Sequence, residues 1–174
     1  LGGVGLSFDS ADGEFTLPAV IGVEIDNNFC TNAMGGSWSG STCTLDNSYT
    51  LPASDTLTIP AGVTLTNNVV YYPKGNVNTN EGILTIKGTL TNDGTINNNN
   101  IITITSTGKL NNDGKLNNDG TINNNNAIIN QGTGTITNKS TLTNNDMILN
   151  KGNLYNNDIL NNVGTITNLY ATSN

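Results

Sequence analysis

Between Gly82 and Ile166 apolar and polar positions follow a six-residue beat, Gly-x-Leu/Ile-x-Asn-x. The phrase reads Gly88-Thr89-Leu90-Thr91-Asn92-Asp93, then Gly94-Thr95-Ile96-Asn97-Asn98-Asn99, and returns as Gly114-Lys115-Leu116-Asn117-Asn118-Asp119. The aliphatic third position recurs from Leu84 to Ile166, always six residues on, except from Ile102 to Leu110 and from Ile128 to Ile136, where the step is eight. A helix needs apolar residues three and four apart, and this stretch does not supply them. One aliphatic residue in six, flanked by Thr, Gly and Asn, predicts a very short strand followed by a corner. Gly and Asn are then expected to take the positive φ that corners often need. So short a strand is stable only when the chain coils and each turn pairs in parallel with the next, about 4.8 Å away. The prediction is an all-β fold, a parallel β-solenoid (β-helix). Its Leu/Ile column points inward, and its corner Asn residues stack into amide ladders.

The two eight-residue steps lie 26 residues apart, and Gly88–Asn100 closely matches Gly114–Asn126. Duplication tends to add whole coils, so this spacing favours a coil of 26 residues, or half that, over one of three hexads.

Ahead of the regular body the pattern loosens. Val4, Leu6 and Phe8 alternate with Gly and Ser, and Phe15, Leu17, Val20, Val23 and Ile25 follow a turn at Asp12-Gly13. These predict short strands. Residues 1–48 are read as a small β-rich entry or cap with a polar loop, 49–81 as irregular first coils, and 82–174 as the regular hexad solenoid. Most aromatic residues lie before residue 73, which gives the entry its own small core and the body a thin aliphatic one.

Charge separates the two parts. Residues 1–81 carry eight acids against Lys74, whereas residues 82–174 carry five Asp and five Lys. A neutral body does not repel copies of itself, and an acidic chain without Arg is a poor nucleic-acid ligand. The first residue is Leu1, read as a processed chain that has lost a signal peptide and is extracellular or at the cell surface. Its two cysteines, Cys30 and Cys43, are then expected to form a disulfide. No stretch is long and apolar enough for a membrane span.

The phrase SYTLPASDTLTIPAGVTLTNN, followed by GTLTNDGTINNNN, resembles the Asn/Gly-rich parallel β-solenoids of prokaryotic cell-surface and secreted proteins, adhesin-like or filament-forming. The resemblance covers about residues 43–168 and implies an exported structural or adhesive role, with no catalytic motif to carry over.

Catalysis is not expected. With no His or Arg, acid–base work would fall to carboxylates such as Asp113 and Asp119, yet Asp93 takes the same place in its own hexad and reads as a turn former. No cofactor is implied. Asp9, Asp12 and Glu14 are the calcium candidate, set against a solvated acidic turn. Asn138-Lys139-Ser140 is a glycosylation triplet. Thr-x-Thr pairs raise ice binding, although Lys109, Asn111, Lys115 and Asn117 interrupt them. Trp38, Tyr155 and Tyr170 offer stacking platforms for a glycan surface as partner. The leading expectation is a homopolymer of this chain, stacked head to tail through Leu169 and Tyr170, with Val4, Leu6 and Phe8 available as a strand donated to a neighbour.

Overall fold

The computed structural model describes residues 23–47, 49–51, 57–60, 63–68, 70–73 and 77–169. The fold is an all-β parallel solenoid of about five turns, with a small N-terminal β region that carries a disulfide. Its strands form three sheets, one along each face of the coil. Face one stacks seven strands: Val23–Glu24, Leu57–Ile59, Val77–Asn80, Thr95–Asn98, Lys115–Asn118, Thr135–Asn138 and Asn153–Asn156. Face two stacks eight: Ser37–Ser39, Thr42–Leu45, Thr64–Asn67, Ile83–Ile86, Ile101–Ile104, Thr121–Asn124, Thr141–Asn144 and Ile159–Asn162. Face three stacks seven: Tyr49–Leu51, Val70–Pro73, Thr89–Asn92, Lys109–Asn112, Ala127–Asn130, Met147–Asn150 and Thr165–Asn168. Neighbouring strands are parallel throughout, except that Ser37–Ser39 runs antiparallel to Thr42–Leu45.

The coil is three hexads long, not 26 residues. Ladder partners one coil apart are separated by 18 or 20 residues. The extra pairs of residues, in the corners around Ser106 and Gly132, fall at different corners: between faces two and three, and between faces three and one. The sequence repeat therefore advances one coil plus one side. It was misleading because the hexads on all three sides have the same chemistry and are interchangeable. Thr hydroxyls tie both wide corners to the coil below: Thr107 Oγ1 donates to the Lys87 carbonyl at 2.9 Å, and Thr133 Oγ1 to the Asp113 carbonyl at 3.0 Å.

From Ile83 on, each four-residue strand turns its second and fourth side chains inward. In Lys115–Asn118 these are Leu116 and Asn118, both fully buried. Leu116 lies between Ile96 and Ile136 in register, so the aliphatic column is continuous. The column is buried from Leu84 to Ile148, whereas Leu154, Leu160 and Ile166 in the last coil are only partly covered.

The corners differ from expectation in one respect. Among the described residues positive φ occurs only at Gly35 and Gly40, both in the entry region. Corner glycines serve another end: a methyl group on Gly114 would be driven into the carbonyl oxygen of Gly94 in the coil below. The hexad glycine is there for close approach of backbone to backbone, not for a left-handed turn.

The entry region is more ordered than a polar loop. Phe29–Ala33 form a short helical turn, closed by the Met34 N–H donating to the Phe29 carbonyl at 3.0 Å. A hairpin follows, with Gly40 at its tip, and its second strand pairs in parallel with Thr64–Asn67. Cys30 and Cys43 are joined in a disulfide with a Cα–Cα distance of 5.8 Å. Both are fully buried in one cluster with Ile25, Met34 and Leu45, against which Phe29 and Trp38 pack. The disulfide thus fastens the helical turn to the first inward side chains of face two.

Candidate functional site

The dominant chemical feature is the set of three asparagine ladders. On face one Asn80, Asn98, Asn118, Asn138 and Asn156 are linked Nδ2 to Oδ1 at 2.6–2.7 Å. On face three Asn92, Asn112, Asn130, Asn150 and Asn168 follow the same rule at 2.7–3.1 Å. On face two Asn124, Asn144 and Asn162 do so at 2.6 and 2.7 Å. From Asn80 to Asn144 each ladder Nδ2 also donates to a backbone carbonyl of the next coil, as Asn118 does to Thr141 at 2.9 Å. Buried amides satisfied on both hydrogens stabilise rather than cost. Asn is thus a core residue here, not only a corner residue.

The ladders have polarity. Every ladder bond runs the same way, from the Nδ2 of the N-terminal coil to the Oδ1 of the C-terminal one. Where a ladder begins, its first acceptor has no ladder donor below it. Asn80 lies opposite Ile59, and Asn80 Oδ1 is buried with no hydrogen-bond partner among the described residues. A cavity of about 20 Å³ opens beside it, where Asn78 stands in the aliphatic column among Leu57, Leu65 and Ile96.

Where the ladders end, no further coil is stacked among the described residues. The inward residues Leu154, Leu160 and Ile166 are partly covered, and the Asn156 and Asn162 amides fall back on the nearby carbonyls of Asp158 and Gly164. Five large apolar residues are exposed among the described residues, and four of them belong to this last stretch: Tyr155, Ile159, Val163 and Leu169.

The other candidate residues do not converge on a site. Asp113 sits at the corner between faces three and one, and Asp119 at the corner between faces one and two, so the length of strand Lys115–Asn118 separates the two carboxylates. Asp119 instead meets Lys139 of the next coil at 3.5 Å, both about half exposed. Lys139→Ala should lower stability by no more than about 0.5 kcal/mol, because exposed pairs of this kind contribute little; thermal melting at low and high salt checks this. Asn138 cannot carry a glycan in the folded chain. It is fully buried, and Nδ2 donates to Asn156 Oδ1 at 2.7 Å and to the Ile159 carbonyl at 2.8 Å. Trp38 lies in the first coil on face two and Tyr155 in the last coil on face one, so they form no common platform. Outward Thr-x-Thr pairs are scattered: Thr135 and Thr137 on face one, Thr141 and Thr143 on face two, Thr89 and Thr91 on face three. Val4, Leu6, Phe8, Asp9, Asp12, Glu14 and Tyr170 lie outside the described residues. Among the described residues no group of three or more His, Cys, Asp or Glu is placed to hold a metal ion, and no helix is long and apolar enough to cross a membrane.

No protein-family model, curated protein or solved structure matches this chain. The resemblance to Asn/Gly-rich surface solenoids therefore stands at the level of architecture, a parallel β-solenoid with stacked asparagine ladders.

Proposed function

We propose that this chain is an exported structural protein, the subunit of an extracellular filament or surface assembly built by stacking solenoids head to tail. The observation that carries the reading is the last described coil: its inward Leu154, Leu160 and Ile166 are only partly covered, and its three strand edges have no partner among the described residues, with exposed Tyr155, Ile159, Val163 and Leu169 around its rim. Open edges are templates for association, and clustered apolar surface marks a contact.

Ladder polarity supports one orientation. A tail-to-tail joint would set the amide donors of Asn156, Asn162 and Asn168 against their own copies. A head-to-tail joint would set them against the first described coil, which carries Ile25 and Leu45 in the ladder columns. The chain already contains such a step. Asn67 lies below Ile86, and its Nδ2 donates instead to the Thr89 carbonyl at 3.2 Å. Unlike ends joined without ring closure give a filament.

Sedimentation velocity and electron microscopy at micromolar concentration test this. The wild-type chain should form fibres. Val163→Lys combined with Leu169→Lys should leave monomers that still melt cooperatively, because both side chains are exposed. A wild-type chain that stays monomeric at tens of micromolar would overturn the reading.

A further inference from the structure

A coil stacked on the C-terminal end covers the strand edges and the inward side chains, Leu154, Leu160 and Ile166. It does not cover the apolar collar. Tyr155 and Ile159 occupy outward positions of their strands, and Val163 and Leu169 are corner residues. In the coils below, the same columns are mostly polar. Tyr155 follows Asn97, Asn117 and Thr137 on face one. Val163 follows Asn125 and Asn145, which are bonded to each other at 2.8 Å. Leu169 follows Asp113, Gln131 and Lys151. Three polar columns thus turn apolar at the same level, and only there. Something that lies against the outside of the last coil would account for this.

We propose that the collar is the docking site for the N-terminal segment of the next copy, with Val4, Leu6 and Phe8 seated against Tyr155, Ile159, Val163 and Leu169. This rests on head-to-tail stacking. The placement follows from where the segment is attached. Residues 1–22 precede Val23 in the first coil, and on face one six strand spacings of about 4.8 Å, roughly 29 Å, separate Val23–Glu24 from Asn153–Asn156. To reach its own collar the segment has to run back along the whole body. In a head-to-tail stack it starts beside the collar of the preceding copy. Its pattern fits: in an extended segment Val4, Leu6 and Phe8 would fall on one side and Gly5 and Ser7 on the other. Charge fits as well. Lys151, exposed at the corner just before the last coil and without an ion pair among the described residues, is placed to meet Asp9, Asp12 or Glu14. Each joint then has two parts, a coil stacked on a coil and a strap across it, the second being strand donation to a neighbour.

Two single-cysteine variants, Ser7→Cys and Asn161→Cys, mixed and treated with a short bis-maleimide, test the strap; the native cysteines are already paired. Dimers that require both variants are the expected result. In the double variant, a cross-link closed within one chain at high dilution would overturn the proposal, since the segment would then lie on its own body. Fibres without any cross-link would also overturn it and leave head-to-tail stacking standing. No fibres and no cross-link would remove both. Deletion of residues 1–9 is the companion measurement. It should raise the concentration needed for assembly by roughly tenfold or more, since burying even one such apolar side chain is enough for that factor. Its melting curve should match that of unassembled full-length chain, for which the Val163→Lys, Leu169→Lys variant serves as reference. Assembly at the wild-type concentration would count against the strap.

Discussion

Leu116→Asp should abolish cooperative folding of the solenoid. Leu116 is fully buried, and it sits mid-column with Ile96 below and Ile136 above. Removing a buried leucine costs about 2–5 kcal/mol through lost transfer energy and the cavity left behind. A carboxyl group in its place adds a desolvation cost that no neighbour offsets: beyond the ladder amides, already committed, the surrounding side chains are aliphatic. The sum approaches the whole stability of an ordinary domain, about 5–15 kcal/mol. Each coil contacts only its neighbours, so a break here uncouples the coils on either side. Lys115→Asp is the control. It lies one residue away on the same strand, is exposed, and points outward, so its effect should stay within about 0.5 kcal/mol. Circular dichroism melts of the two variants make the comparison. A Leu116→Asp protein that melts like wild type would mean that the inward column is assigned to the wrong residues.

The aliphatic third position was legible because nothing else explains a Leu or Ile kept in phase from Leu84 to Ile166. The buried fifth position was harder to see. Asn is common at corners and in turns, so its recurrence read first as turn chemistry. The sharper signal lay in the contrast between neighbouring columns. At the fifth position Asn92, Asn98, Asn112, Asn118, Asn124, Asn130, Asn138, Asn144 and Asn150 recur, with Ile104 the one exception between Asn92 and Asn150. The following corner position varies among Asp93, Asn99, Gln131, Lys139 and Lys151. A position two residues from an inward leucine on a strand also faces inward. Ile86 and Ile104 make the same point from the other side, since an apolar residue replaces Asn on face two in two successive coils and stacks on itself.

Coil length was hidden by the equivalence of the sides. No local rule marks which of three identical corners closes the turn, and the 26-residue near-duplication points to the wrong closure. Only the strand register reveals it. The apolar end was half legible. Leu169 and Tyr170 stand out in the sequence, but the collar needs three dimensions. Tyr155, Ile159 and Val163 are scattered in sequence, and they become one feature only when the coil brings them to the same level on different sides.

The second large effect is expected at Asn118. Without the structure, Asn118→Ser reads as a mild corner change; the ladder makes it severe. Asn118 accepts from Asn98 Nδ2 at 2.7 Å, and it donates to Asn138 Oδ1 at 2.6 Å and to the Thr141 carbonyl at 2.9 Å. A serine hydroxyl is too short to reach both coils. Asn98 would keep its weaker bonds to the Asn100 and Thr121 carbonyls, but Asn138 Oδ1 would lose its ladder donor in a dry interior. An orphaned buried acceptor costs about 1–3 kcal/mol, and the vacated volume adds to that. A loss of roughly 2–4 kcal/mol is therefore expected. Asn156→Ser removes the same side chain from the same column at the exposed end, and it should cost about 1 kcal/mol or less. Urea unfolding of unassembled protein measures both, and equal losses would contradict the ladder account. Asn118→Asp gives a test of polarity. An ionised carboxylate can accept from Asn98, but it faces the Asn138 oxygen, acceptor against acceptor; only the protonated acid can donate there. Its folded-state pKa is therefore raised above the unfolded value. The variant should be weak at neutral pH and regain stability as the pH falls through that raised pKa, with the gain complete below the ordinary carboxylate range. Stability that falls steadily with acid, as for a carboxylate paired with a cation, would mean that the amides do not run in the direction assigned.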